Sequence, residues 1–276
     1  MLKLKDIGVI SLITFNTVNF RVFGIPAYFF CAFTGLVLTT CIYIMLMSSK
    51  KYDISQSTKI LFISLCGMAL GAKGFGFLTG IYRNIGIGKP ITLDVLLDTG
   101  IVFYGGLFGL IITYLFCLKS KHCSLDKQAL NVLAACIPLF HTVARIGCFL
   151  SGCCYGKLYQ GALSINYITT IENHLDENLR FPVQLVEALF EFLLFIYLLS
   201  LLKSEEWRSK KLLLRYLAIY SSGRFLLEFL RGDIRRGLIC GISFSQCISV
   251  VIWIVLIGYY LNQQIVLKQK REDCNG

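Results

Sequence analysis

Seven apolar runs alternate with polar connections along this chain, at roughly 23–47, 59–82, 101–118, 128–152, 183–202, 212–230 and 244–267. Each is close to the length of about 20 residues that a helix needs to cross a bilayer core. The connections carry the turn and charge signals: SSKKYD, YRNIGIGKP, KSKHCSLDK, KSEEWRSKK and GDIRRGLICG, with KQKREDCNG closing the chain. The longest connection, 153–182, predicts a small head segment outside the bilayer. The pattern predicts an all-α, polytopic membrane bundle of about seven transmembrane helices, forming a single membrane domain over 1–276.

Composition agrees with the pattern. Hydrophobic residues make up 56% of the chain and charged residues 16%, against about 25% charge in soluble domains; mean hydropathy is +0.68. The net charge of +11 does not argue for nucleic acid, because the basic residues lie between apolar runs, as topology determinants do. Lys and Arg are denser after the first, third and fifth runs and in the tail than on the opposite side. That bias predicts an outside N-terminus and a cytoplasmic C-terminus. The stretch from Ile7 to Phe20 is broken by Asn16 and Asn19 and does not read as a cleavable signal peptide. The twelve cysteines lack the spacing of a secreted disulfide framework and read mostly as packing residues.

The informative residues are charges inside apolar runs, each costing about 2.5–3.5 kcal/mol at a span centre on insertion scales. They are Lys73, Arg145, Glu187, Glu191, Arg224 and Glu228. Spacing groups them: Arg224, Glu228 and Arg231 fall on one helical face, as do Gln184, Glu187 and Glu191, and His141 lies one turn before Arg145. Such stripes form buried ion pairs that fix packing, or line a cavity. Glycines cluster beside them, and an arginine fork suits a phosphate. Two intramembrane arginines therefore suggest a phospholipid head-group site, with Arg145 and Arg224 sharing a hollow open to lipid.

These segments resemble the bacterial prolipoprotein diacylglyceryl transferase family, in order, from about Val22 to Gly258. VFGIPAYFFCAF looks like the family's opening segment. GAKGFGF is similar to its GGRIGY, with Lys73 where arginine is usual, and FYGGLFG to its FHGGLIG. ARIGCFLSGCCYG is similar to its GRIGNFINGE, RFPVQLVEALFE to its HPSQLYE, SSGRFLLEFLRGD to its ARFFVEFFRxPD, and SFSQCISV to its MGQxLS, with Gln246 matching. The resemblance implies a seven-span enzyme of the bacterial inner membrane that moves the diacylglyceryl group of phosphatidylglycerol onto the lipobox cysteine of a prolipoprotein, releasing glycerol 1-phosphate.

It also implies site roles. Arg145 and Arg224 would hold the phosphate, Glu228 would orient Arg224, and Arg231 or Asp233 would complete the rim. Gln184, Glu187 and Lys73 would line the same lipid site. Besides Lys73, three positions depart from the family's pattern: Tyr104 replaces its histidine, and Cys148 and Cys153 replace its asparagine and acidic residue. Tyr104 is then a catalytic candidate as hydrogen-bond partner or base, with His141 as an alternative proton carrier. The nucleophile belongs to the substrate. Cys148, Cys153 and Cys154 form C-x4-C-C, which matches no strong zinc pattern, so neither metal nor cofactor is expected. His122 and His174 read as loop residues. The competing readings are the same scaffold acting on another acceptor, a lipid transporter without covalent chemistry, and a purely structural subunit.

Overall fold

The computed structural model describes residues 14–17, 20–86, 102–121, 123–171, 174–233, 238–239 and 242–275. The N-terminal stretch, 87–101 and His122, all read above from the sequence, lie outside these residues. Seven helices run through the described residues: α1 (Ala27–Ser49), α2 (Ile54–Gly86), α3 (Phe103–Leu118), α4 (Ala129–Leu150), α5 (Val183–Lys203), α6 (Leu212–Leu227) and α7 (Phe244–Asn275). Five of them, α1, α2, α4, α5 and α7, are long and apolar enough to cross a membrane, and α3 is a shorter apolar helix. Large apolar side chains such as Phe33, Phe62, Phe116, Leu193 and Val255 face outward, while Arg145, Glu187, Glu191 and Arg224 are buried. That inside-out distribution is what a lipid-facing bundle requires.

Helix α4 is the centre of the bundle. Its apolar window is 78% buried, against 17% for α1 and for α7, and it packs on α1, α5 and α6. Helices α2 and α3 form a second tight pair along a seam of small residues. A Cβ added to Gly71 would strike the Gly105 carbonyl oxygen, and one on Gly109 would strike that of Gly67. The two backbones approach this closely because both helices carry glycines four apart. A third pair, α6 and α7, is joined by aromatic contacts such as Phe225 with Trp253, ring centres 5.1 Å apart.

Buried polar pins set the helix ends. Asn131 donates from Nδ2 to the Trp207 carbonyl at 3.0 Å, and its Oδ1 accepts from the Leu212 amide at 2.9 Å, satisfying an orphan donor at the start of α6. Asp126 accepts from the amides of Gln128 and Ala129 before α4, from the Tyr52 hydroxyl at 2.6 Å, and from Arg208 at 2.7 Å.

Three details differ from the sequence pattern. The first apolar run starts at 23, but α1 begins at Ala27, because Phe23 and Gly24 adopt positive φ in a turn between two short strands, β2 (Arg21–Val22) and β3 (Ile25–Pro26). The 153–182 connection contains a hairpin, β4 (Ile165–Ile171) and β5 (His174–Arg180), with β1 (Thr14–Asn16) parallel to β4; His174 is thus a strand residue rather than a loop one. The sixth run ends as a helix at Leu227. Glu228–Leu230 form a 3-10 turn, and Arg231 is extended and bridges to Gly156.

Candidate functional site

Glu187, on α5, is the hub of the buried charge cluster. Arg145 of α4 places Nη2 at 3.0 Å from its Oε1, and Arg224 of α6 places Nη1 at 3.2 Å from each of its oxygens. Two guanidiniums from different helices therefore meet at one carboxylate. Helical geometry makes this possible, because Glu187 and Glu191 fall on the face of α5 that packs against α4. Arg224 turns its other nitrogen, Nη2, to Glu228 at 2.7 Å and to Ser245 Oγ at 3.4 Å. Arg231 lies 3.8 Å from Glu228 and grips Asp233 with a fork of 2.8 and 2.6 Å. Arg224, Glu228 and Arg231 thus keep the adjacency that helical spacing predicts, although the helix has ended at Leu227.

The arginines come together as expected, but not around an open hollow. Arg145 is 7% and Arg224 4% exposed, and Glu187 occupies the space between them. A buried guanidinium needs a counter-charge, and Glu187 supplies it to both.

His141 completes the arrangement. Arg145 Nε donates to His141 Nε2 at 3.1 Å, so Nε2 carries the lone pair and the ring proton sits on Nδ1. Nδ1 is 3.1 Å from Glu191 Oε1 without hydrogen-bond alignment, and the ring stacks on Phe103 with centres 3.7 Å apart. The histidine thereby fixes the orientation of Arg145.

The remaining expected residues lie elsewhere. Tyr104 is buried, and its hydroxyl is 2.8 Å from Ser249 Oγ. Ser249 itself donates to the Ser245 carbonyl at 3.0 Å, so Tyr104 is the donor of that pair and is linked by hydrogen bonds towards Arg224 through the α7 serines. Gln184 donates to the Cys153 carbonyl at 2.9 Å and reaches the Tyr167 hydroxyl at 3.4 Å. It anchors the turn after α4 to the head hairpin rather than lining the arginine pair. Lys73 sits over the Phe77 ring, 5.2 Å from its centre, on its own helix. Gln246 accepts from the Ser243 amide at 3.0 Å, capping α7. Ser245 and Ser249 escaped the sequence reading because serine in an apolar run carries no distinguishing signal; Glu191 and His141 were visible from their spacing.

The turn that follows α4 brings three sulfurs together. Cys148, Cys153 and Cys154 hold their Sγ atoms within 4.8 Å of one another. Arg145 Nη1 is 3.9 Å from Cys148 Sγ, which places the trio beside the arginine cluster.

The family model described as prolipoprotein diacylglyceryl transferase matches residues 16–262. Among curated relatives, the chain is similar to the phosphatidylglycerol–prolipoprotein diacylglyceryl transferase of Clostridium tetani, 33% identical over 248 residues, covering 88% of this chain and 95% of that protein. It is also similar to phosphatidylglycerol–prolipoprotein diacylglyceryl transferase 2 of Clostridium perfringens, 28% identical with 91% and 96% covered. A Campylobacter hominis protein of the same name, without the numeral, is 28% identical, with 90% of each chain covered.

Proposed function

The chain belongs to the prolipoprotein diacylglyceryl transferase family, and we propose that it transfers the diacylglyceryl group of phosphatidylglycerol to the lipobox cysteine thiol of a prolipoprotein. The observation that carries the reading is the meeting of Arg145 and Arg224 at Glu187, two guanidinium forks from separate helices within 3.2 Å of one anion. A thiolate attacks the glycerol carbon that bears the phosphate, the C–S bond forms, and the C–O bond breaks with its electron pair on the departing glycerol 1-phosphate. Negative charge grows on the phosphate as it leaves, and paired guanidiniums stabilise it. Holding donor lipid and peptide in line supplies much of the rate.

In this reading Arg145 and Arg224 are the catalytic cations, and the phosphodiester takes the place that Glu187 fills between them. Glu228 orients Arg224, and Arg231 with Asp233 forms the rim. Tyr104, through Ser249, completes the wall, and Lys73 and Gln184 border the lipid's approach. The protein works in the bacterial inner membrane, N-terminus outside and C-terminus cytoplasmic, where lipid and exported precursor both arrive.

The test uses purified protein, phosphatidylglycerol and a synthetic lipobox peptide. Thioether-linked diacylglyceryl peptide with stoichiometric glycerol 1-phosphate is expected, and Arg145→Ala and Arg224→Ala each abolish both while the protein still inserts. Full activity in either variant would overturn the phosphate-clamp reading. Head-group binding without peptide modification would point to another acceptor, and lipid flux without product to a transporter.

A further inference from the structure

The cysteine trio at the end of α4 is the feature the arginine clamp leaves without a role. Cys148 is in the last turn of the helix; Gly152 and Cys154 then adopt φ of 72° and 57°. A left-handed conformation costs a residue with a Cβ about 1–2 kcal/mol, and here it folds the chain back so that three side chains converge. The turn is closed by the Cys153 amide, which donates to the Cys148 carbonyl at 3.1 Å, and held from outside by Gln184, which donates to the Cys153 carbonyl, and by the Gly232 amide, which donates to the Tyr155 carbonyl at 2.9 Å. That last bond ties the Arg231 segment to the same turn.

We propose that Cys148, Cys153 and Cys154 form a three-thiolate site for a soft metal ion, zinc being the expected occupant, whose fourth position receives the acceptor peptide's cysteine sulfur. This rests on the transfer reading above and adds the means of activating its nucleophile. Tetrahedral zinc with bonds of about 2.3 Å sets its sulfurs roughly 3.8 Å apart. The observed spread of up to 4.8 Å closes to that with side-chain shifts of about 1 Å. Thiolates select zinc or copper(I) over harder ions, and three protein ligands with one vacancy is the arrangement of a catalytic rather than a structural zinc site.

Exposure fits the role: Cys148 is buried, and Cys153 and Cys154 are less covered, so the trio lies at the edge of the buried arginine cluster. Charge fits as well. Zinc with three thiolates carries −1, and −2 once the acceptor thiolate joins, and the Arg145 guanidinium lies 3.9 Å from Cys148 Sγ. A coordinating thiol is deprotonated outright; its proton passes to water on binding. The metal-held sulfur pair then forms the C–S bond, and the C–O pair leaves with glycerol 1-phosphate. No oxidant or reductant enters. The site also answers a gap in the arginine cluster, where Tyr104 is engaged as a donor to Ser249 and His141 by Arg145.

The experiment is cobalt(II) titration of the reduced, full-length protein in detergent, read by absorption. The expected result is one equivalent bound, with sulfur-to-cobalt charge transfer and tetrahedral ligand-field bands that zinc abolishes. Each of Cys148→Ser, Cys153→Ser and Cys154→Ser weakens binding by roughly tenfold or more, whereas Cys41→Ser, on α1, leaves it unchanged. Adding lipobox peptide shifts the bands, and its serine analogue does not. Absence of thiolate–cobalt bands in the reduced wild type, or bands that survive in the three single variants, overturns the proposal. Transfer that continues at full rate in metal-free protein overturns the metal's role while leaving the transfer reading intact. Cobalt binding with the peptide shift, but no product from any acceptor, removes the transfer reading instead.

Discussion

Replacing Glu187 with glutamine removes one charge and leaves the shape of the site nearly intact. That carboxylate lies 3.0 Å from Arg145 and 3.2 Å from Arg224. At an effective dielectric of about 20 each contact is worth roughly 5 kcal/mol of gross attraction. Desolvation of the three groups offsets much of this, and removing one partner of a buried pair costs about 3–5 kcal/mol net. Glutamine keeps one acceptor oxygen, so the expected loss is at the lower end, about 3 kcal/mol. By the scaling for large domains this lowers the Tm by roughly 6–12 °C. The informative part is the response to lipid. If a phosphodiester takes the place of Glu187 between the guanidiniums, Glu187→Gln has lost its internal competitor. Phosphatidylglycerol should then raise the Tm of the variant by more than it raises that of the wild type, and a zwitterionic lipid should not. Thermal unfolding in mixed micelles, with and without each lipid, reads both quantities. A variant that melts with the wild type in every condition would refute the claim that Glu187 holds the two arginines, and an equal lipid shift in both proteins would refute the replacement of Glu187 by phosphate.

Three further outcomes follow from named contacts. Arg224→Lys retains the charge but not the fork that reaches Glu187 and Glu228 together; losing one charge-assisted bond of about 1.5–3 kcal/mol should cut kcat/KM by roughly 10- to 100-fold. Tyr104→Phe loses the bond to Ser249, worth about 1 kcal/mol or roughly fivefold in rate, and complete loss of transfer would instead show that the hydroxyl handles a proton. In the connection before α4, burial raises the Asp126 carboxyl, but hydrogen bonds from Tyr52 and Arg208 hold it below the usual carboxylate range. Its stabilisation is therefore present above the unfolded value of about 3.9 and lost as pH falls through the lower folded value. Because the Arg208 pair is half-exposed, Asp126→Asn should cost about 0.5–1 kcal/mol near pH 7, and the Tm gap should close below about pH 4; a gap that persists there would refute the assignment.

The arginine pair was legible in the sequence because ionisable residues are rare in apolar runs, and their spacing of three and four marks one helical face. Family motifs added the partner helices, which spacing within one run cannot supply. What the pattern missed has physical reasons. The hairpin at Ile165–Ile171 and His174–Arg180 mixes polar and apolar residues in a connection, where hydropathy reads only polarity. The end of α6 at Leu227 is invisible to an apolar run that continues to 230. The placement of Gln184 under the Cys153 turn depends on the left-handed backbone at Cys154, and no C-x4-C-C spacing announces that. The enclosure of the guanidiniums follows from Glu187, whose charge was noticed but whose reach to both arginines required three helices to be in place.

The glycine seam between α2 and α3 limits how the molecule can open. Where backbone rests on backbone there are no rotamers to switch, so that pair neither rotates nor slides without parting altogether. A membrane lipid reaching the interior from the side must therefore use a boundary that side chains close. Side chains rather than backbone close the α6–α7 boundary, with Phe225 against Trp253 and Ser245 beside Arg224, so that seam, unlike the glycine one, has rotamers to change.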